Sequence, residues 1–143
     1  MYGDTEAIRG LARTMRDQGA ALRSEATTLL ARAEAVPWQG VAADAMRARV
    51  RAQVAALRRT AGLSDDAAVA LDHHADEVDR RKALIAEIEH RVTALVSAAR
   101  DRLAGLVSSV LPDPLDELLA RFVPPPPGHR DWLLVDLPGL SRE

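Results

Sequence analysis

Between Asp4 and Val36 the chain repeats itself in sevens. Ile8, Met15, Leu22, Leu29 and Val36 form one column, and Ala12, Gly19, Ala26 and Ala33 follow the first four by four residues. This 4-3 spacing places a large and a small column on one face of an α-helix. The small column allows a second helix to approach closely while the large column interdigitates beside it. Asp4 stands where an N-cap belongs, and Glu6 and Arg32 complement the helix dipole at their respective ends. At about 1.5 Å per residue such a helix is roughly 50 Å long.

The sharp break in the first half is Pro37 to Gly40, within "EAVPWQGVAADAM". A second helical stripe then begins near Val41 and runs through Met46, Val50, Val54, Leu57, Ala61, Ala68, Leu71, Ala75 and Val78. "AGLSDD" is its one candidate interruption, where Gly62 could end a helix and Ser64 cap the next; a continuous or gently kinked helix is expected, since an isolated helical glycine costs about 1 kcal/mol. Beyond Val78 the spacing continues through Leu84, Ile88, Val92, Leu95, Ala99, Leu103, Leu106 and Val110, with Lys82 and Glu89 now on the earlier stripe. Different partners are therefore expected to cover the two halves.

The chain is 143 residues long, 48% hydrophobic and 28% charged, in the range of one foldable domain. Much of the hydrophobic fraction is alanine, and Tyr2, Trp38, Phe122 and Trp132 are the only aromatics. One copy thus buries few large side chains and is expected to need a partner. Without cysteine there are no disulfides or thiolate sites. A net charge of -2 does not favour nucleic acid or an anionic membrane, although Arg47, Arg49, Arg51, Arg58 and Arg59 make one segment locally basic. The abundance of alanine, with Lys82 the sole lysine among many arginines, points to a GC-rich, actinobacterial coding sequence. No signal sequence and no membrane-spanning apolar run is expected.

The last third is organised differently. "LPDPLDELLARFV" is predicted to be a short helix with Asp113 as N-cap, Pro114 at the first helical position, Asp116 in the first turn, and Leu115, Leu118, Leu119 and Phe122 as an apolar patch. "PPPPG" ends it in an extended connector. The tail carries Trp132, Leu133, Leu134, Val135 and Leu137, too apolar for a solvated linker; it either folds back onto the helices or captures a partner. Three parts are expected: a hairpin over 1–80, a helical extension over 81–111, and a short helix, proline-rich connector and apolar tail over 112–143.

A long helix, a Trp-Gln-Gly turn and a second long helix resemble the WXG family of small proteins exported by the type VII, or ESX, secretion system of actinobacteria and firmicutes. The resemblance covers roughly the first eighty residues. It implies an all-α fold: an antiparallel hairpin that pairs with a second hairpin, often a different protein, into a four-helix bundle exported folded. Trp38 and Gly40 would then lie at the bundle tip, with Ile8, Met15, Leu22, Leu29, Val50, Val54 and Leu57 in the pairing interface. The implied partners are another WXG-like protein or a larger type VII effector, with a homodimer open, and the secretion machinery. The implied route is leaderless, from the cytoplasm to the outside or the cell surface. Leu118, Phe122 and Trp132 are candidate contacts for cargo.

The family's export signal, Tyr-x-x-x-Asp/Glu after the second helix, is not matched there. Tyr2 and Glu6 have its spacing but precede the first helix, and His73 with Glu77 is a degraded form within the second. The partner is therefore expected to supply the tyrosine. An alternative class is a cytosolic helical scaffold or regulatory homodimer whose basic face, Arg47, Arg51 and Arg58, touches nucleic acid. "EIEH" gives Glu87 and His90 the spacing of a di-iron carboxylate ligand pair, but only one copy exists and i to i+4 charge pairing accounts for it. No phosphate loop, nucleophile elbow or zinc motif is present, so neither an enzyme nor a cofactor is expected.

Overall fold

The computed structural model describes residues 3–140. It is all-helical, with no strand among the described residues: α1 spans Thr5–Ala35, α2 Val41–Ala104 and α3 Pro114–Ala120, followed by a short 3-10 helix, Arg130–Leu134. The chain divides into two compact units. One is Asp4–Asp76; the other takes in the described residues from Glu77 onward together with Gly3.

Unit Asp4–Asp76 is an antiparallel hairpin. The α1 start is capped as its sequence requires, with the Asp4 carboxylate accepting from the N–H groups of Glu6 and Ala7, both at 3.1 Å. The short turn makes the helices antiparallel, and ion pairs between them mark their register. Arg9 meets Asp76, Arg16 meets Asp72, Arg23 meets Asp65 and Glu34 meets Arg51, so partners climb α1 as they descend α2.

The seam is built of small residues. Ala12, Gly19, Ala26 and Ala33 are the buried positions of α1, and Ala43, Val54, Ala61 and Ala68 are buried on α2, with Ala75 following. Each such side chain buries little area, but small residues let the backbones close to a distance at which dispersion contacts are dense. The large column does not share this burial. Ile8, Met15, Leu22 and Leu29 are half-buried, and Val36 is exposed. On α2 the expected stripe separates in the same way: Met46, Val50, Leu57 and Leu71 are half-buried beside the buried small residues.

Gly62 interrupts nothing. The helix runs through it, and the Ser64 hydroxyl donates to the carbonyl of Thr60 at 3.2 Å instead of capping a new helix.

In the second unit the buried face of α2 changes register to Val78, Ile85, Val92 and Ala99, joined by Val96. Leu84, on the expected stripe, is exposed. The reason is the covering element: Ile85, Val92 and Val96 form a cluster with Trp132 and Val135, flanked by Ile88, Phe122, Leu133, Leu137 and Leu140. Folding back, one of the two outcomes open from the sequence, is the one the tail adopts. Helix α2 ends at Ala104, although the apolar spacing continued through Leu106 and Val110; both are exposed. Gly105, Ser108, Ser109 and Pro112 supply the weak helix formers that stop it.

Helix α3 has the expected start. The Asp113 carboxylate accepts from the Leu115 N–H at 2.9 Å, with Pro114 opening the helix. Its anchor is Asp116, buried although charged, which accepts from Arg102 Nε at 2.9 and 3.0 Å and from Nη2 at 2.6 Å. Beyond it, the Trp132 indole N–H donates to the Pro126 carbonyl at 2.9 Å, satisfying the only polar atom of a side chain that is 2% exposed.

Candidate functional site

The hairpin turn is the site the sequence singled out. Helix α1 gives way to extended backbone at Val36, and α2 starts at Val41. Gly40 has φ +110°, a conformation that L side chains rarely adopt, and a Cβ there would meet nothing within 4 Å. Backbone conformation, rather than crowding, is what requires glycine. Trp38 is half-exposed, at 52%. Val41, just after Gly40, is 88% exposed, so the turn presents apolar surface to solvent.

One arginine ties the turn together. Arg47, in the second turn of α2, donates through Nη2 to the carbonyls of Val36 at 2.9 Å and Trp38 at 2.7 Å. Its side chain is only 17% exposed, and Asp44 approaches Nη1 at 3.6 Å. The Val36 carbonyl belongs to the C-cap of α1 and the Trp38 carbonyl to the turn beyond it, and a guanidinium is suited to collect both. Sequence reasoning assigned Arg47 to a basic face; its composition gave no sign of the inward role, because the acceptors lie nine and eleven residues earlier in a non-helical segment.

The two flanks of the seam differ chemically. On a seven-residue repeat, the residues three and four before a seam position lie on opposite sides of it. For the Ala12 column these are Arg9, Arg16 and Arg23 on one side and Ile8, Met15, Leu22 and Leu29 on the other. The arginine flank is closed by the ion pairs to Asp76, Asp72 and Asp65. The Asp65 carboxylate raises the Arg23 pKa, chiefly through their hydrogen bond. The other flank carries the half-buried apolar column, matched on α2 by Val50, Leu57 and Leu71. Of the expected interface residues, Val54 alone is fully buried and belongs to the hairpin's own seam. The arginine ladder was visible as a seven-residue repeat of Arg9, Arg16 and Arg23, but its meaning depended on acidic partners 67, 56 and 42 residues away.

The remaining candidates are placed as follows. Leu118 is exposed, Phe122 half-buried and Trp132 buried, so these three do not form one surface. Arg51 of the basic segment is paired with Glu34, which together with Arg47 turns two of the three arginines of that face onto the hairpin itself. Glu87 lies 3.6 Å from Arg91, one helical turn on, and among the described residues no group of three His, Asp or Glu side chains could hold a metal ion. Glu77 is held below the usual carboxylate range by hydrogen bonds from Arg80 and Arg81. Tyr2 lies outside the described residues.

Residues 1–101 match a protein-family model described as "Putative T7SS secretion signal domain". The chain belongs to this family. The match takes in α1, the Trp38 turn and nearly all of α2, and ends before α3. Membership in this family gives the chain a role tied to type VII secretion. No match was found among curated proteins or among solved structures. Among the described residues, no helix of this type VII signal-domain protein is long and apolar enough to cross a membrane.

Proposed function

We propose that this chain is a non-enzymatic type VII secretion protein of the WXG kind. Its hairpin pairs with a second helical hairpin, either another small WXG-like protein or the corresponding domain of a larger effector, and presents Trp38 and Gly40 at the tip for export. The observation that carries this reading is the unequal treatment of the two flanks. Ion pairs close one, while the other leaves Ile8, Met15, Leu22, Leu29, Val50 and Leu57 only half-covered. A partner helix pair laid on the apolar flank completes a four-helix bundle and removes that surface from water. Family membership supplies the secretion context, and the half-exposed Trp38 supplies a feature for recognition.

The test is a pull-down from native lysate with tagged full-length protein, mass spectrometry of what is recovered, and a blot of the culture filtrate with and without a working type VII system. Recovery of a second Trp-x-Gly protein or domain, with both proteins in the filtrate only when the system works, is the expected result. Recovery of self alone, with nothing exported, overturns the reading.

A further inference from the structure

We infer that Arg47 is a positioning residue for the Trp38 tip, holding the backbone beneath the indole in one conformation before any partner or receptor arrives. The inference rests on the proposed role of the tip in export. A turn of five residues between two helices has several conformations open to it, and each extra one lowers the fraction of molecules ready to bind. Here a single guanidinium nitrogen bonds the carbonyls on either side of Pro37, those of Val36 and Trp38. Pro37 restricts its own φ and biases Val36 toward extended backbone, so the segment is stiff on the α1 side. On the α2 side, Gly40 is fixed by the first helical hydrogen bond, from the Asp44 N–H to its carbonyl at 3.0 Å.

The Arg47 side chain is mostly covered while the Trp38 side chain is half-exposed. That division of labour is a rigid mount under an accessible indole. A lysine at the same place can also aim one nitrogen at both carbonyls, but it has no second nitrogen to face Asp44 as Nη1 does at 3.6 Å, and it is expected to hold the tip less firmly.

The experiment uses the full chain carrying Trp132→Phe, which leaves Trp38 as the only tryptophan. Arg47→Gln and Arg47→Lys are added to it, and each protein is measured for helix content by circular dichroism, Trp38 fluorescence anisotropy and acrylamide quenching. Export of each is compared with that of Trp38→Ala. The expected result for Arg47→Gln is unchanged helix content, lower anisotropy, stronger quenching, and export reduced about tenfold if the tip spends a tenth of its time in the competent geometry. Arg47→Lys should lie between Arg47→Gln and the parent on every readout. Unchanged anisotropy and quenching in both variants overturns the positioning role. A loosened tip with full export overturns its functional consequence. Normal export of Trp38→Ala instead defeats the proposed role of the tip, and the spectroscopic comparison still decides whether Arg47 holds Trp38.

Discussion

A Cβ built on Gly19 would lie 3.2 Å from the carbonyl oxygen of Ala61 and 2.8 Å from Asp65 Oδ1. The two helix backbones of the hairpin are therefore in near contact at its middle. The Asp65 carboxylate can swing aside, but a backbone carbonyl moves only with its helix. Gly19→Leu should separate the helices and destabilise the hairpin by about 1–3 kcal/mol through overpacking. Gly62 is the internal contrast: it is helical, with nothing within 4 Å of a Cβ. Gly62→Ala should raise stability by about 0.5–1 kcal/mol. Urea unfolding followed by circular dichroism measures both, and equal effects of the two changes would refute the close seam.

Leu22 and Leu57 sit on the half-covered flank, and Arg16 on the closed one. Leu22→Asp or Leu57→Asp should weaken partner binding at least about 30-fold, since either puts an unpaired charge into an apolar interface at a cost of roughly 2 kcal/mol or more. Arg16→Glu breaks an exposed ion pair worth about 0–1 kcal/mol and should leave pairing intact. Size-exclusion chromatography with light scattering, on variants shown to keep their helix content, reads the outcome. Full pairing by both leucine variants would remove this flank from the interface.

Gly40→Ala should cost about 1–3 kcal/mol because alanine is strained at φ +110° although space is open around it. Trp38→Ala should leave thermal stability nearly unchanged, since the indole is half in solvent already, while export falls. Differential scanning calorimetry beside a filtrate blot separates the two effects. A large loss of stability in Trp38→Ala would make the residue a structural one.

Arg102 and Asp116 give the second unit an acid-sensitive anchor. Hydrogen bonding to the Arg102 guanidinium holds the Asp116 carboxyl below its ordinary pKa, and the same bonds raise that of Arg102. The unfolded chain releases this restraint, so folding is favoured by the ionised carboxylate. The contribution is fully present above the usual aspartate range and is lost as pH falls through the depressed folded value. Denaturant titrations at a series of acidic pH values should therefore show a steeper loss with Asp116 than with Asp116→Asn, both in a Trp38→Phe background so that Trp132 fluorescence is a local probe. Identical pH profiles would mean that the pair does not anchor α3.

Trp132 is the largest buried side chain of the second unit. Trp132→Ala should destabilise that unit by about 3–5 kcal/mol, leaving a cavity beside Ile85, Val92 and Val96. Limited proteolysis should then cut near the proline-rich connector much faster than in the parent. An unchanged cleavage pattern would show that the tail is held by other contacts.

What the sequence determined by itself was whatever depends on neighbours in the chain: the two long helices, the caps at Asp4 and Asp113, the turn at Pro37–Gly40 and the existence of a small-residue column. Capping bonds and apolar periodicity are local, so residue type and spacing suffice to specify them. Tertiary structure decided which column is buried, because Ala12 and Gly19 lie in the seam only through the approach of Ala61 and Ala68 from a helix far along the chain. It also decided that Arg9, Arg16 and Arg23 form a ladder, that Arg47 turns inward to the turn carbonyls, and that Trp132 folds onto α2. Each of these pairs groups well separated in sequence, and the free energy of such contacts comes from geometry and removal from water, which no single segment contains.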